Sequence, residues 1–311
     1  MKKKKLNKLA LIMLGGTLIA TSCTEEGTTP KVKETKEVET TVTEESTGID
    51  VNSLDLNPDM EYKVPTPNEL FEVLKEANIQ FDASVLNNIN NLSKYDNQKS
   101  QALNFGVYSA DLAFVANNEV GTDALKYFKT IRQLSSALNV ENAFDGTVFK
   151  RIEENASKKD SDSLLILSNE TYYNAFSYLE DNGREKTLAY IVLGGWIESL
   201  SILTQLGEYE EGSLLVEKLG DQKLTLENVM GLMMSIQEDE EVQDVMAELM
   251  DLEAVFLNLE QVEEGEAATT QEEDGKFMFS GGTKTIISKE EFDKIKEIIA
   301  DLRLQVVDAS L

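Results

Sequence analysis

The chain has no histidine, one cysteine, one tryptophan and four prolines in 311 residues. Without an imidazole, Ser-His-Asp and Cys-His catalysis, histidine metal sites and histidine pH switching are all excluded. A single cysteine excludes an internal disulfide and a thiolate metal cluster. No phosphate-cradling glycine loop is present, because Ser280-Gly281-Gly282-Thr283 lacks the flanking context that such a loop requires. Metal chemistry through oxygen ligands stays allowed, but no residues mark it. The sequence therefore assigns no catalytic residue, no metal ligand and no cofactor. Glycoside hydrolysis by two carboxylates stays chemically open, since it needs only a pair of acids at a set separation. With 57 acidic residues, no pair can be singled out.

Positive charge is also scarce, with 29 basic residues against those 57 acidic ones and a net charge of −28. Five of the basic residues lie in the first 22 positions, so a chain starting at Cys23 would carry 24 against 57, or −33. Such a field repels phosphate backbones and anionic headgroups, which excludes nucleic acid as a partner. Any attachment to a membrane must come from something other than charge.

Residues 1–22 explain where that attachment would come from. Lys2 to Lys5 and Lys8 form a basic start, Leu9 to Ala20 an apolar run, and small residues lead to Cys23. The run is too short to span a bilayer, which takes about 20 apolar residues, and it has the layout of an export signal. The segment resembles a bacterial lipoprotein precursor, in which the cysteine after the cleavage site becomes the acylated N-terminus. That resemblance implies a lipid on Cys23. Ala20-Thr21-Ser22-Cys23 lacks the leucine usual three residues before the cysteine, as in the looser signals of Bacteroidota lipoproteins. In that group, acidic residues after the cysteine resemble a signal for display on the outer face of the outer membrane, and Glu25-Glu26 fits it. The alternatives are an ordinary secretory signal ending in Ser-Cys, and glutamates that merely begin an acidic tether. The body is similar to uncharacterised helical lipoproteins of the same group, a likeness that supplies no mechanism.

Residues 23–66 are rich in Thr, Glu and Lys and poor in large apolar groups. They cannot bury enough surface to offset ordering entropy, so the lipidated cysteine is expected to lead into a disordered tether. Its length corresponds to about 35 to 40 Å between anchor and body. Asp55, Asn57, Asp59 and Glu61 alternate like calcium ligands, but the glycine and final glutamate of an EF-hand loop are missing.

From Pro67 to Leu311 the apolar spacing is helical, with very few prolines and no linker composition, which predicts one all-α domain. After a first helix opened by Pro67, helices are predicted near 82–93, 97–117, 122–138, 143–156, 162–181, 184–206, 209–218, 225–237, 239–262 and 289–308. Ser288 and Glu291 have capping-box spacing at the start of the last. One β-hairpin is predicted within 276–287, folded about Gly281-Gly282, and the acidic stretch 260–274 reads as a mobile loop. A shift of 88 positions aligns Leu103, Gly106, Tyr108 and Leu112 with Ile191, Gly194, Trp196 and Leu200. That leaves both a duplication and a chance match of amphipathic helices open. The stretch near Gly207 resembles a tetratricopeptide helix pair without that family's period. Stacked antiparallel helical hairpins are the expected architecture.

Candidate recognition residues sit on the two aligned segments. Leu103, Val107, Asp111 and Phe114 share one helical stripe, which places a carboxylate on an apolar face. Burying it requires a cation or hydroxyl, with Arg132, Arg184 and the tyrosines as available mates. Glu198 follows Gly194-Gly195, which would let another backbone approach, and Trp196 lies between. Tyr108, Asp111, Trp196 and Glu198 would either line a groove for a sugar or cationic peptide, or serve helix crossing and core packing. Tyr172 and Tyr173, followed by Asn182-Gly183-Arg184, present the same choice, and adjacent tyrosines cannot both face one side of a helix. The functional expectation is a non-catalytic, lipid-anchored envelope protein that binds a protein partner or small ligand. The alternative is a carboxylate-dependent hydrolase of envelope glycans.

Overall fold

The computed structural model describes residues 67–118, 120–144, 146–158, 161–271 and 277–311. The export signal, Cys23, the tether and the acidic alternation at Asp55 to Glu61 lie outside them. The described residues all belong to one compact unit. It is all-α, with one two-stranded sheet.

Helix α1 (Pro67–Glu76) begins on proline, whose fixed φ and missing N–H suit the first helical position. The segment after it does not form the helix expected at 82–93. It makes two short 3₁₀ turns, Ala83–Val85 and Ile89–Lys94. The carboxylate of Asp82 accepts from the Ser84 N–H, and the Asn88 side chain accepts from the Asn90 N–H. Each bond satisfies a backbone donor locally, so the helix loses its advantage there. The result is an irregular strap laid over the helices.

Helix α2 (Gln98–Asn117) and α6 (Glu185–Leu206) form the centre and share the most extensive helix–helix contact of the fold. Both are buried nearly all round, α2 from Ala102 onward and α6 from Leu188 to Thr204. A helix that is apolar on every side must be enclosed, and α6 is the case in point. One window of it reaches a mean hydropathy of 1.4, apolar enough to cross a membrane, yet 94% of that window is buried inside the protein. Around this pair pack α3 (Gly121–Ala137), α4 (Gly146–Lys158), α5 (Ser161–Asp181), α7 (Leu214–Met234), α8 (Glu240–Leu257) and α9 (Lys289–Val307). From α4 onward each helix touches the next, except that the sheet intervenes in the chain between α8 and α9.

The two central helices meet backbone to backbone. A Cβ on Gly106 would collide with the Ile191 carbonyl, and one on Gly194 with the Leu103 carbonyl. The 88-position shift maps Leu103 onto Ile191 and Gly106 onto Gly194, so each residue touches the counterpart of the other. Reciprocal contacts of this kind are what a two-fold crossing of equivalent helices produces.

Two element boundaries differ from expectation. Most of the helices expected at 209–218 and 225–237 form the single helix α7, which runs through Gly220, where the missing side chain leaves room for the backbone and side chain of Thr285. Residues 260–271 of the acidic stretch are not a loop. They form strand β1 (Glu260–Gln271), which pairs antiparallel with β2 (Phe277–Ile286) with an irregularity between Glu264 and Ala268. Gly281-Gly282, expected at the turn, instead sit within β2, where Gly282 pairs with Glu264. Pairing satisfies the backbone groups on the β2 side of β1 in spite of its weak strand composition. At the start of α9, Ser288 and Glu291 form the expected capping box.

Candidate functional site

Asp111 on α2 and Glu198 on α6 are both completely buried, at 0% exposure. Each follows the glycine-mediated crossing by about one turn, so the close approach of the helices brings two carboxyls together. The Glu198 carboxyl acts on that of Asp111 strongly enough to raise its proton affinity. The cation that meets them comes from α9. Arg303 donates from Nε to Glu198 Oε2 at 2.7 Å and from Nη2 to Oε1 at 2.8 Å. The same Nη2 donates to the carbonyl of Val85 in the strap at 2.8 Å. Asp111 Oδ2 accepts from the backbone N–H of Asn87 at 3.3 Å, while Oδ1 has no donor facing it.

A polar network continues from there. Asn87 donates to Tyr95 Oη at 3.0 Å and to Asn104 Oδ1 at 3.3 Å. Tyr95 donates to the carbonyl of Val307, and Asn104 to that of Val306, which ties α2 and the strap to the end of α9. Tyr108 donates to the carbonyl of Asn88 at 3.0 Å. The rings of Tyr95, Tyr108 and Tyr127 follow one another with centroids 6.2 Å apart.

Burial, then the neighbouring Glu198, holds the Asp111 carboxyl well above the usual carboxylate range. Burial opposes the charge on Arg303, but the Glu198 carboxylate outweighs it and keeps the guanidinium protonated. Burial likewise pushes up the Tyr108 and Tyr127 phenols, with Tyr95 and Asp111 respectively adding to the effect.

The structure therefore unites Tyr108, Asp111 and Glu198 in the interior and not along an open groove. The mate of the acids is Arg303, in place of Arg132 or Arg184. Trp196 is also buried, at 4% exposure, and its indole N–H donates to Gln222 Oε1 at 3.0 Å. Tyr172 is buried on α5 while Tyr173 is half-buried, with their rings edge to face. Gly183, at φ +62°, ends α5, where the N–H groups of Gly183 and Arg184 bond back to Glu180 and Leu179. Arg303 carried a signal of its own. It stands four residues after Ile299 and three before Val306, both buried, on the apolar face of α9.

Open space lies elsewhere. A cleft of about 600 Å³ at the start of α6 is lined by Asn139, Arg184, Lys186, Glu238 and Asp239 among others. Its cations are engaged. Arg184 donates to the Leu138 carbonyl and Thr187, and Lys186 binds Asp239 at 2.7 Å and Glu241 at 2.5 Å. The hydrogen bond from Lys186 holds the Asp239 carboxyl below its usual range. A second cleft, of about 730 Å³, runs between the end of α1 and the start of α7. Ile79, Leu206, Leu214 and Leu215 supply apolar surface there, and Glu76, Glu208 and Glu210 supply charge. Both volumes fall in the range of small-ligand and peptide sites. No protein-family model, curated protein or solved structure matches this chain.

Proposed function

We propose that this protein is a bacterial lipoprotein of the outer membrane, acylated at Cys23, whose helical body binds a partner and catalyses nothing. The lipid, on this reading, supplies the membrane affinity that a chain of this negative charge lacks. Three acyl chains hold where one holds only marginally. Glu25 and Glu26 favour display on the cell surface.

The observation that carries the binding role is the cleft between α1 and α7, where apolar side chains lie among three glutamates and no buried partner neutralises them within the lining. A peptide segment bearing apolar and basic side chains suits it, because the glutamates steer the cation while the apolar residues supply contact area. Hydrolysis by paired acids has weaker support, since Asp111 and Glu198 are sealed from any glycan.

Two measurements test this reading. Mass analysis of the native N-terminal peptide is expected to find an acylated Cys23, and Cys23→Ala to move the protein into soluble fractions. Unchanged membrane retention would refute the anchor. A photoreactive residue in place of Leu214 is expected to capture a protein in intact cells that the same residue at Leu257, an exposed position on α8, does not. Equal capture from both positions would remove the cleft as the binding surface.

A further inference from the structure

The Asp111–Glu198 contact contains more acceptors than donors. Both Glu198 oxygens are occupied by Arg303, which makes that pair electrically neutral. Asp111 Oδ2 has a single, long bond from an uncharged amide, and Oδ1 faces no donor. If Asp111 were ionised, a fully buried oxygen would bear charge without a partner, an arrangement that costs several kcal/mol even after relaxation. Placing a hydrogen on the Asp111 carboxyl removes the difficulty, because a neutral carboxyl can donate to the Glu198 carboxylate that acts on it.

We infer that Asp111 holds a bound proton that it directs at the Glu198 carboxylate, and that this proton keeps the strap of residues 83–94 closed over the centre of the fold. The groups facing Asp111 are Glu198 from α6, Arg303 from α9, Tyr95 from the end of the strap, Tyr108 on α2 itself and Tyr127 from α3. All three tyrosines have phenols pushed above their ordinary values and stay protonated through neutral pH.

Once that proton leaves, two carboxylates oppose one guanidinium, and the new charge needs water. Water cannot arrive through the α2–α6 contact, where glycine backbones touch. The strap is the weaker cover. It consists of two short 3₁₀ turns, and its ties to the site are the bonds at Val85, Asn87 and Asn88. Segments with few regular backbone bonds open at the lowest free energy. The proton therefore acts as a ligand of the closed form, and rising pH shifts the population towards the open strap. This inference concerns the body alone and does not rest on lipid attachment or on the cleft at Leu214.

Amide hydrogen exchange on the purified body, compared at matched intrinsic exchange rates from pH 6 to pH 9, reads the effect. Protection of the strap amides is expected to fall by up to about tenfold per pH unit, as one released proton allows, and to be lost at a lower pH than protection within α2 and α6, which yields only to global unfolding. Asp111→Asn keeps a neutral side chain with a donor, and its strap protection is expected to be independent of pH. A pH-dependent loss of the same size in Asp111→Asn would overturn the inference. Should that variant not fold, carbon NMR of the Asp111 carboxyl in the unaltered protein decides the matter. A protonated signal at pH 6 is expected, and an ionised one would equally overturn it.

Discussion

Gly106 and Gly194 lie on facing helices, and each occupies the place where the other helix presents a carbonyl. That reciprocity lets α2 and α6 approach closely enough to set Asp111 beside Glu198, so the chemistry of the centre depends on two missing side chains.

Adding a methyl group at either position tests the dependence. Gly106→Ala and Gly194→Ala are each expected to destabilise the fold by about 1 to 3 kcal/mol or more, because the obstruction is backbone and cannot rotate away. Gly183→Ala is a useful contrast. It meets no atom, and its positive φ alone is expected to cost about 1 to 2 kcal/mol. Urea denaturation followed by circular dichroism measures all three. Gly106→Ala and Gly194→Ala should also raise strap exchange, and Gly183→Ala should not.

Removal of the Arg303 guanidinium is expected to be more severe. Arg303→Met keeps much of the packing volume but leaves Glu198 as an uncompensated buried charge, with an expected loss of about 3 to 5 kcal/mol. Arg303→Lys restores charge without the two-pronged geometry that binds both Glu198 oxygens and Val85, so only partial recovery is expected. Thermal unfolding of the three proteins at one pH gives the ranking.

Asp111 gives stability a direction in pH. Its folded-state proton affinity is raised, so above about pH 4 the native chain keeps a proton that the unfolded chain has released. This contribution is complete below the ordinary carboxylate value and is lost as pH rises through the folded one. The stability of the unaltered protein relative to Asp111→Asn is therefore expected to fall as pH rises from about 5, by at most about 1.4 kcal/mol per pH unit. A relative stability that stayed flat above pH 5 would show Asp111 to be ionised in the fold.

Trp196 offers a spectroscopic probe, since it is the single tryptophan of the chain and is buried. Its emission is expected at short wavelength in the native protein, moving to long wavelength on denaturation. Trp196→Phe leaves Gln222 Oε1 without its donor, at an expected cost of about 1 to 3 kcal/mol. A native emission like that of free tryptophan would contradict this burial.

How much of this was legible in the residues follows from one-sidedness. Helices with one apolar face, such as α9 with Phe292, Ile295, Ile299 and Leu302 buried, announce their inner surface and nearly their ends. The strap was misread as helix because Ile89 and Leu92 keep helical spacing, while local capping by Asp82 and Asn88 decides the backbone. Strand β1 was invisible because its glutamates show no alternation, and its conformation comes from pairing with β2. The need of Asp111 for compensation was readable from its apolar stripe. Its provider was not, since Arg303 is distant in sequence and Arg132 and Arg184 are nearer. Nor could spacing alone distinguish an exposed aromatic groove from a crossing of buried helices.

The guanidinium that neutralises Glu198 arrives 105 residues later in the chain. During synthesis, α2 and α6 can emerge with their acids already in place while the compensating cation is still to be made. Completing the centre early would bury unbalanced charge, so the half-made polypeptide has reason to remain loose. On the proposed reading of an exported protein, that delay helps keep the chain unfolded for its passage through a secretion channel.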